Sequence, residues 1–209
     1  MYVEQIRHNP APGKAQELRS ALEEWAKTAP SRGSAHNLIS ALLDPEGAVF
    51  VNGIRHEDLA AFGKYRAEAA SRQGGPYPQS LLSRPPERTL WEVLVRVPAG
   101  GPPPHYTFRT TFYPATGKAA GVRALLEEWV KARQASGSRQ ALAVQVFGQE
   151  GAVFAQNIQH PDLASLDARM HSFSQDPAAA ARNEKLAPLL ARPSKSELFQ
   201  VLVPFPPQS

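Results

Sequence analysis

Apolar and polar residues alternate along 2–9 and along 105–113, and this period of two predicts a β-strand in each segment. Each strand is followed by apolar residues spaced as on one face of a helix. These helical stripes contain Leu18, Leu22 and Trp25 in the first half of the chain and Val122, Leu126 and Trp129 in the second. Further strands are predicted at 35–43, 47–55, 89–97 and 197–205. The predicted order of elements is β-α-β-β-α-β in each half.

The two halves of the chain also repeat one another in sequence. The segment from Tyr2 to Ala60 aligns without a gap with the segment from Tyr106 to Ala164, and several motifs recur at the same spacing. The clearest are Leu22-Glu23-Glu24-Trp25 with Leu126-Glu127-Glu128-Trp129, and Glu46-Gly47-Ala48-Val49-Phe50 with Glu150-Gly151-Ala152-Val153-Phe154. We therefore predict two ferredoxin-like repeats, 1–98 and 105–209, joined by a Pro/Gly linker at 99–104.

Helix ends and turns are predicted from single residues. Gly33 and Gly137 stand where the first helix of each repeat should end, as a left-handed terminating residue does. Asp58 and Asp162 precede the second helices and are predicted N-caps. Hairpin turns are predicted at 44–47 and at 148–151.

Several predicted strands are apolar on both faces, for example at Leu38 and Ile39, and at Leu90 and Trp91. Helices cover one face of a ferredoxin-like sheet, so the second face needs another partner. The sheet of the sister repeat can supply it, and a short linker makes that partner intramolecular. The predicted fold class is α+β, with two tandem repeats that form an intramolecular pseudo-dimeric barrel.

This organisation resembles the dimeric α+β barrel superfamily, particularly its NIPSNAP-like and antibiotic-biosynthesis-monooxygenase-like members. The resemblance rests on Pro-x-Gly-Lys after strand one, the first helix that ends near Trp25 or Trp129, and the His-x-Asp-Leu opening of helix two. It implies a fold whose members include cofactor-free monooxygenases, dehydratases, isomerases, haem-binding peroxidases, chlorite dismutases and proteins without known activity. No residue string in the chain selects one of these.

Composition narrows the partners. The chain has no cysteine, which excludes a disulfide scaffold, a thiol nucleophile and an iron–sulfur cluster. Its formal charge of +4 is scattered and interleaved with acids, so we expect no nucleic-acid partner. No apolar stretch approaches the ~20 residues that span a bilayer, and no secretory leader is recognisable, so we expect no membrane association and a cytoplasmic location.

Motifs for phosphate, nucleotide or metal binding are missing from the sequence, and we predict neither a metal nor a cofactor. His56 and His160 precede the second helices, where they could act as a base or a ligand. The favoured interpretation is a helix-entry residue that hydrogen-bonds locally. His171 is the candidate for an axial ligand if the chain binds haem.

The repeats differ on one face of their first two strands. Copy two is mostly apolar there, with Phe108 and Phe112, whereas copy one carries polar residues. The candidate catalytic residues are Glu4, His8 and His36, and the candidate ligand-binding residues are Ser40 and Asn52. A carboxylate, imidazoles and a hydroxyl among apolar groups could transfer protons on a small substrate. The alternative is that these strand residues are simply exposed to solvent.

Three functions are compatible with the sequence. The first is a small-molecule-binding protein, as a cofactor-independent monooxygenase or isomerase that acts on a hydrophobic ring compound. The second is a non-catalytic structural or interaction protein, and the third is a haem-binding enzyme. The expected assembly is a monomeric pseudo-dimer or a homodimer of it.

Overall fold

The computed structural model describes residues 1–29, 34–42, 47–71, 77–148 and 152–206, which contain eight strands and five α-helices. The first half has β1 (Tyr2–His8), α1 (Ala15–Thr28), β2 (Ala35–Ala41), β3 (Val49–His56), α2 (Leu59–Ser71) and β4 (Glu87–Val95). The second half has β5 (Tyr106–Phe112), α3 (Ala119–Ala135), β6 (Gln140–Phe147), β7 (Phe154–His160), α4 (Leu163–Ser174), α5 (Pro177–Leu186) and β8 (Lys195–Val203). The predicted α+β class is confirmed.

Most of the predicted helix ends agree with the structure. The side chain of Asp162 accepts a hydrogen bond from the Ser165 N–H, and Asp58 accepts one from Ala61, each at 2.7 Å, so both N-caps are confirmed. Gly137, which follows the C-cap residue Ser136 of α3, has a φ of 87°, as predicted for a left-handed terminating residue. Gly33 and the central residues of both predicted turns, 44–46 and 149–151, lie outside the described residues.

Helix α5 was not predicted. It begins after Asp176, whose side chain accepts a hydrogen bond from the Ala178 N–H, and Pro177 occupies its first turn, where a missing N–H costs nothing. Its alanine-rich sequence has no strong apolar stripe, which explains why periodicity did not reveal it.

The chain forms two compact units. Unit 1 contains residues 1–92 and 199–209, and unit 2 contains residues 93–198. In unit 1, antiparallel pairing gives the strand order β4-β1-β3-β2, and the end of β8 pairs with β2. Leu38 and Phe50 pack under α1, while Ile39 and Phe199 belong to a second cluster on the opposite face. The sheet of unit 1 is therefore buried on both faces, as its sequence predicts.

Unit 2 contains the antiparallel order β5-β7-β6. Its core joins Leu126 and Trp129 of α3 to Phe112 and Phe154 of the sheet, and α5 adds Leu186. Trp129 is 9% exposed, which confirms its predicted place in the core. The repeat boundaries and the intramolecular barrel stay predictions. Among the described residues, no helix is both long and apolar enough to cross a membrane.

Candidate functional site

Unit 2 contains a cavity of about 210 Å³ that is partly open to solvent. The apolar part of its wall consists of Phe108, Phe112, Ile158, Leu166, Met170 and Phe173. The polar part includes Thr110, Gln156, His160, Arg169, Arg182 and Asn183. The lining is thus mainly apolar with a few convergent polar groups, which is typical of small-molecule sites.

Strand and helix periodicities both direct side chains into this cavity. Phe108, Thr110 and Phe112 are alternate residues of β5 and share one face of the sheet. Phe108 lies opposite Ile158 in the ladder between β5 and β7. The lining residues of α4, from Leu166 to Phe173, follow the i, i+3, i+4, i+7 spacing of one helix face, so this helix covers the sheet residues.

Arginines from three helices gather beside the cavity. The Arg182 guanidinium lies 4.4 Å from the centre of the Trp129 ring and 5.4 Å from that of Phe173. The Arg133 guanidinium is also 4.4 Å from Trp129, and it forms an ion pair with Asp176. Stacking on aromatic faces holds planar guanidinium groups in place at a partly buried site.

These guanidinium groups raise the electrostatic potential of the cavity. Burial, followed by the nearby charges of Arg133 and Arg169, lowers the pKa of Arg182 to about 10. Burial and Arg133 likewise lower the pKa of Arg169. The Nη2 atom of Arg169 is buried and has no hydrogen-bond partner among the described residues. The Asp176 carboxylate pairs directly with Arg133, and it only partly opposes the lowering of the pKa values of Arg169 and Arg182.

His160 ends β7 and lies in the cavity wall, with 5% of its surface exposed. The Ser165 hydroxyl donates to the backbone carbonyl of Asp162 at 2.9 Å, so its oxygen is left to accept from His160 Nδ1 at 3.4 Å. This contact favours the tautomer with a lone pair on Nε2, an atom that is buried without a partner among the described residues. Burial, assisted by Arg169, lowers the pKa of His160, so the ring is neutral near pH 7.

The structure places the candidate residue Glu4 in unit 1 with only 2% of its surface exposed. Its Oε1 atom accepts hydrogen bonds from Arg88 at 2.9 Å and from Arg66 at 3.5 Å. Both arginines have more than two fifths of their side chains exposed. The carboxylate is thus held by two partly exposed cations.

The other unit 1 candidates have partners of their own. His8 Nδ1 lies 2.7 Å from the Tyr77 hydroxyl, and the His36 ring meets the Trp25 ring edge-on at 4.8 Å. Asn52 donates through its Nδ2 to a backbone carbonyl of β2 at 2.7 Å. His8, His36 and Asn52 are buried, so simple exposure to solvent does not explain them, whereas Ser40 is half-buried.

The structure separates these candidates into local contacts. His8 and Glu4 are engaged by different partners, Tyr77 and Arg88. Asn52 lies opposite Ile6 in one ladder and opposite Leu38 in the other. The five residues share a face of the sheet, but no described contact joins their functional groups to each other.

Sequence reasoning did not identify the arginines of unit 2. The most apolar residues of α4 are Leu163, Leu166, Met170 and Phe173, but Leu163 is 51% exposed. Arg169 belongs to the inner face instead. The available signal was spacing, because Arg169 falls three residues after Leu166 and four before Phe173.

The described residues do not fit the haem alternative at His171. Its side chain is 78% exposed, pairs with Asp167 at 3.8 Å, and is not part of the cavity wall. A cavity of about 150 Å³ holds a single benzene ring, so about 210 Å³ is far too small for a porphyrin. No cluster of three or more metal-ligating side chains occurs in the described ranges.

No family model matches the chain, and no curated protein matches it. Solved structures do resemble it. An anthrone oxidase-like protein aligns with a TM-score of 0.67 and 19% identity over 96% of this chain and 90% of its own. A candidate monooxygenase from Lactobacillus acidophilus NCFM aligns with a TM-score of 0.66 and 10% identity over 100% of this chain and 99% of its own.

A candidate monooxygenase from Fusobacterium nucleatum subsp. nucleatum gives a TM-score of 0.67 at 10% identity, over 100% of this chain and 95% of its own. At such identities the likeness concerns the fold, and a fold hosts many activities. The chain therefore shares its fold, over nearly its whole length, with anthrone oxidase-like and monooxygenase-like structures.

Proposed function

We propose that this chain binds a small hydrophobic ring compound in the cavity of unit 2 and removes a proton from it without a cofactor. The observation that carries the proposal is the apolar cavity with His160 and Arg169 in its wall. Such a proton transfer is the first step of a cofactor-independent oxygenation or isomerisation, the reactions expected from the sequence.

The size of the cavity limits the ligand. It exceeds the volume that holds one benzene ring, yet it is smaller than the ~300–1,000 Å³ typical of drug-sized ligands. A bicyclic compound fits this range. The rings of Phe108, Phe112 and Phe173 provide flat apolar surface for it.

His160 is the proposed base. Its neutral ring carries a lone pair on Nε2, which takes the proton from a carbon beside a carbonyl group. The electron pair left on the substrate moves onto the carbonyl oxygen and forms an enolate. The neighbouring Arg169 stabilises that oxygen, because a fixed cation at a site of developing charge lowers the barrier.

The cavity with His160 and Arg169 in its wall favours this reaction class over a purely structural role, and the structural neighbours supply a precedent on the same fold. The neighbours named above are anthrone oxidase-like and candidate monooxygenase proteins, and they align over most of their own length. Oxygenation would follow the proton transfer with dioxygen as the co-reactant, whereas isomerisation would return the proton to another carbon.

Binding is tested by isothermal titration calorimetry with 2-tetralone, a bicyclic ketone. Leu166→Trp fills the cavity from α4 and should abolish binding. Leu163→Trp is the matched control, since it adds the same ring to the same helix at an exposed position. Equal binding by the two variants would place the ligand elsewhere and refute the proposed site.

The chemical step is tested by proton–deuterium exchange at C1 of 2-tetralone in D₂O, followed by NMR. The wild-type chain should accelerate exchange, and His160→Gln should lose at least about tenfold of that acceleration, since a positioned base contributes about 10²–10⁴-fold. His171→Gln, which changes an exposed histidine of α4, should exchange like wild type. Binding without accelerated exchange would support the non-catalytic alternative instead.

The candidate residues of unit 1 are tested by the same binding and exchange assays. Because Glu4, His8 and Asn52 already contact Arg88, Tyr77 and the backbone of β2, we propose that they stabilise unit 1. The double variant Glu4→Phe with His8→Phe copies the matching residues of copy two, Phe108 and Phe112. Retained binding is expected. Lost binding in a folded variant would return the ligand site to Glu4, His8 and His36.

We also propose that the two sequence repeats arose by duplication and associate within one chain. If each repeat covers the sheet face that the helices of the other repeat leave open, no second chain is needed to bury it. Light scattering coupled to gel filtration should give the mass of a monomer, and a dimer would support the homodimer of pseudo-dimers instead.

A further inference from the structure

We propose that the compound bound in the unit 2 cavity is an aromatic or bicyclic carboxylate whose acid group is held by Arg182. This inference rests on the proposed binding function and specifies its ligand class. It assigns Arg182 to the carboxylate and leaves Arg169, the cation nearer to His160, for the enolate.

The first argument is the charge balance around the cavity. Arg133 occupies the Asp176 carboxylate, which also accepts the Ala178 N–H. Among the described residues, neither Arg169 nor Arg182 has an ion pair with a carboxylate. Arg182 instead donates to the neutral amide oxygen of Asn183 at 2.8 and 3.3 Å. The cavity wall therefore carries cations that the described protein groups do not neutralise.

The second argument is the energetic cost of that arrangement. Removing a guanidinium group from water is unfavourable unless an anion pairs with it. The lowered pKa of Arg182 reflects this cost, because burial and two neighbouring cations all disfavour its charged form. An anionic ligand would offset both effects at once.

The third argument is geometric. Contacts with Trp129 and Phe173 fix the plane of the Arg182 guanidinium, as described above. The Nε and Nη2 atoms contact Asn183, so the edge formed by Nη1 and Nη2 is the one that presents parallel N–H groups to the two oxygens of a carboxylate. The adjacent Phe108, Ile158 and Leu166 surfaces can take the rings of the same molecule. The site thus combines one anion anchor with one flat apolar slot.

The test compares 2-naphthoate with 2-naphthamide, which has the same rings and nearly the same shape but no charge. Calorimetry at low salt should show that the wild-type chain binds 2-naphthoate at least about tenfold more tightly, the effect of about 1.4 kcal/mol. Arg182→Gln should remove most of that preference and leave 2-naphthamide binding within about twofold of wild type, since the apolar slot is unchanged.

Arg123→Gln is the matched control, because Arg123 lies on α3, is half exposed and pairs with Glu127 away from the cavity wall. It should alter neither affinity. Arg182→Lys keeps the charge without the planar fork and should recover only part of the preference. If Arg182→Gln does not fold, the inference is tested with the wild-type chain by measuring the affinity of both ligands at low and at high salt. Screening by salt should weaken the binding of 2-naphthoate and leave that of 2-naphthamide unchanged.

The outcomes separate the inference from the function on which it rests. Equal binding of both ligands by the wild-type chain would overturn the carboxylate inference and leave the ring-binding function intact. Binding of neither ligand nor of 2-tetralone would contradict the binding function itself. If the preference for 2-naphthoate survives Arg182→Gln but disappears in Arg169→Gln, then Arg169 is the carboxylate anchor. That result would overturn the proposed division of roles between the two arginines.

Discussion

Acid should destabilise unit 1 through one buried imidazole. His8 has no exposed surface, and its Nδ1 atom lies 2.7 Å from the Tyr77 hydroxyl. Burial, assisted by the positive charge of Arg88, lowers its pKa from 6.5 to about 3. Its Nε2 atom has no hydrogen-bond partner among the described residues, so a proton added to the ring would create an unpaired buried cation.

The size of the effect follows from linkage between protonation and folding. The unfolded chain protonates His8 near pH 6.5, whereas the folded chain resists until about pH 3. Stability is therefore fully present above pH 6.5 and is lost as the pH falls toward 3. Between pH 7 and pH 5 the loss from this residue is about 2 kcal/mol, from 1.36 kcal/mol per unit of pKa difference.

The assay is urea unfolding by circular dichroism at pH 7 and at pH 5, for wild type and for His8→Phe. The variant copies Phe112 of the other repeat, and its free energy of unfolding should fall by about 2 kcal/mol less over this range. His171→Gln, at an exposed histidine, should follow the wild-type pH dependence. Identical pH dependence in wild type and His8→Phe would refute the claim that the folded chain keeps His8 neutral.

Five further substitutions test the packing, charge and capping assignments by denaturant or thermal unfolding. Leu126→Ala should cost about 2–5 kcal/mol because its side chain is fully buried, whereas Leu163→Ala on the exposed face of α4 should cost less than about 0.5 kcal/mol. Glu4→Gln should cost about 1–3 kcal/mol by removing charged hydrogen bonds, and Arg66→Gln less than about 1 kcal/mol because its contact is longer and half exposed. Asp162→Ala should cost about 1 kcal/mol by leaving the Ser165 N–H uncapped, and an unchanged melting temperature would contradict the cap.

The sequence was sufficient for the eight strands and for helices α1 to α4, though not for α5. Period-two alternation located β1 within one residue of each end, and helical spacing located the core residues Leu18 and Leu126. These signals are local, because each depends on residues a few positions apart. The caps Asp58 and Asp162 were predictable for the same reason.

The site was less predictable because it depends on distant residues. The neighbours of Arg182 in the sequence do not distinguish it from the exposed arginines of the chain. Its role becomes visible only when the fold brings it against Trp129 of another helix. In the sequence, Glu4 is likewise an isolated carboxylate. Its partners Arg66 and Arg88 lie more than sixty residues away and meet it only in the folded chain. Partners at long sequence separation arise only from the tertiary fold, so sequence could propose polar candidates but not their pairing.

The histidines at matching positions of the two sequence repeats, His56 and His160, have different surroundings. In unit 1 the His56 ring is covered by Phe62 at 5.4 Å and by Tyr65 at 5.3 Å. The same spacing of 104 residues, continued past Ala60, matches these two rings to Leu166 and Arg169, which line the cavity together with His160 in unit 2.

Replacing two aromatic rings by a smaller aliphatic group and a flexible cation removes volume above the sheet, and the cavity of unit 2 lies there. Burial lowers the pKa of both histidines. Glu4 opposes that shift at His56, whereas at His160 Arg169 adds to it and Asp162 opposes it. Glu4, beside His56, already has two arginine partners within unit 1. Arg169, beside His160, has no carboxylate partner among the described residues, so its charge favours the binding of an anion. The described residues leave a cavity beside His160 of unit 2, and this is the place where we propose that a ligand binds.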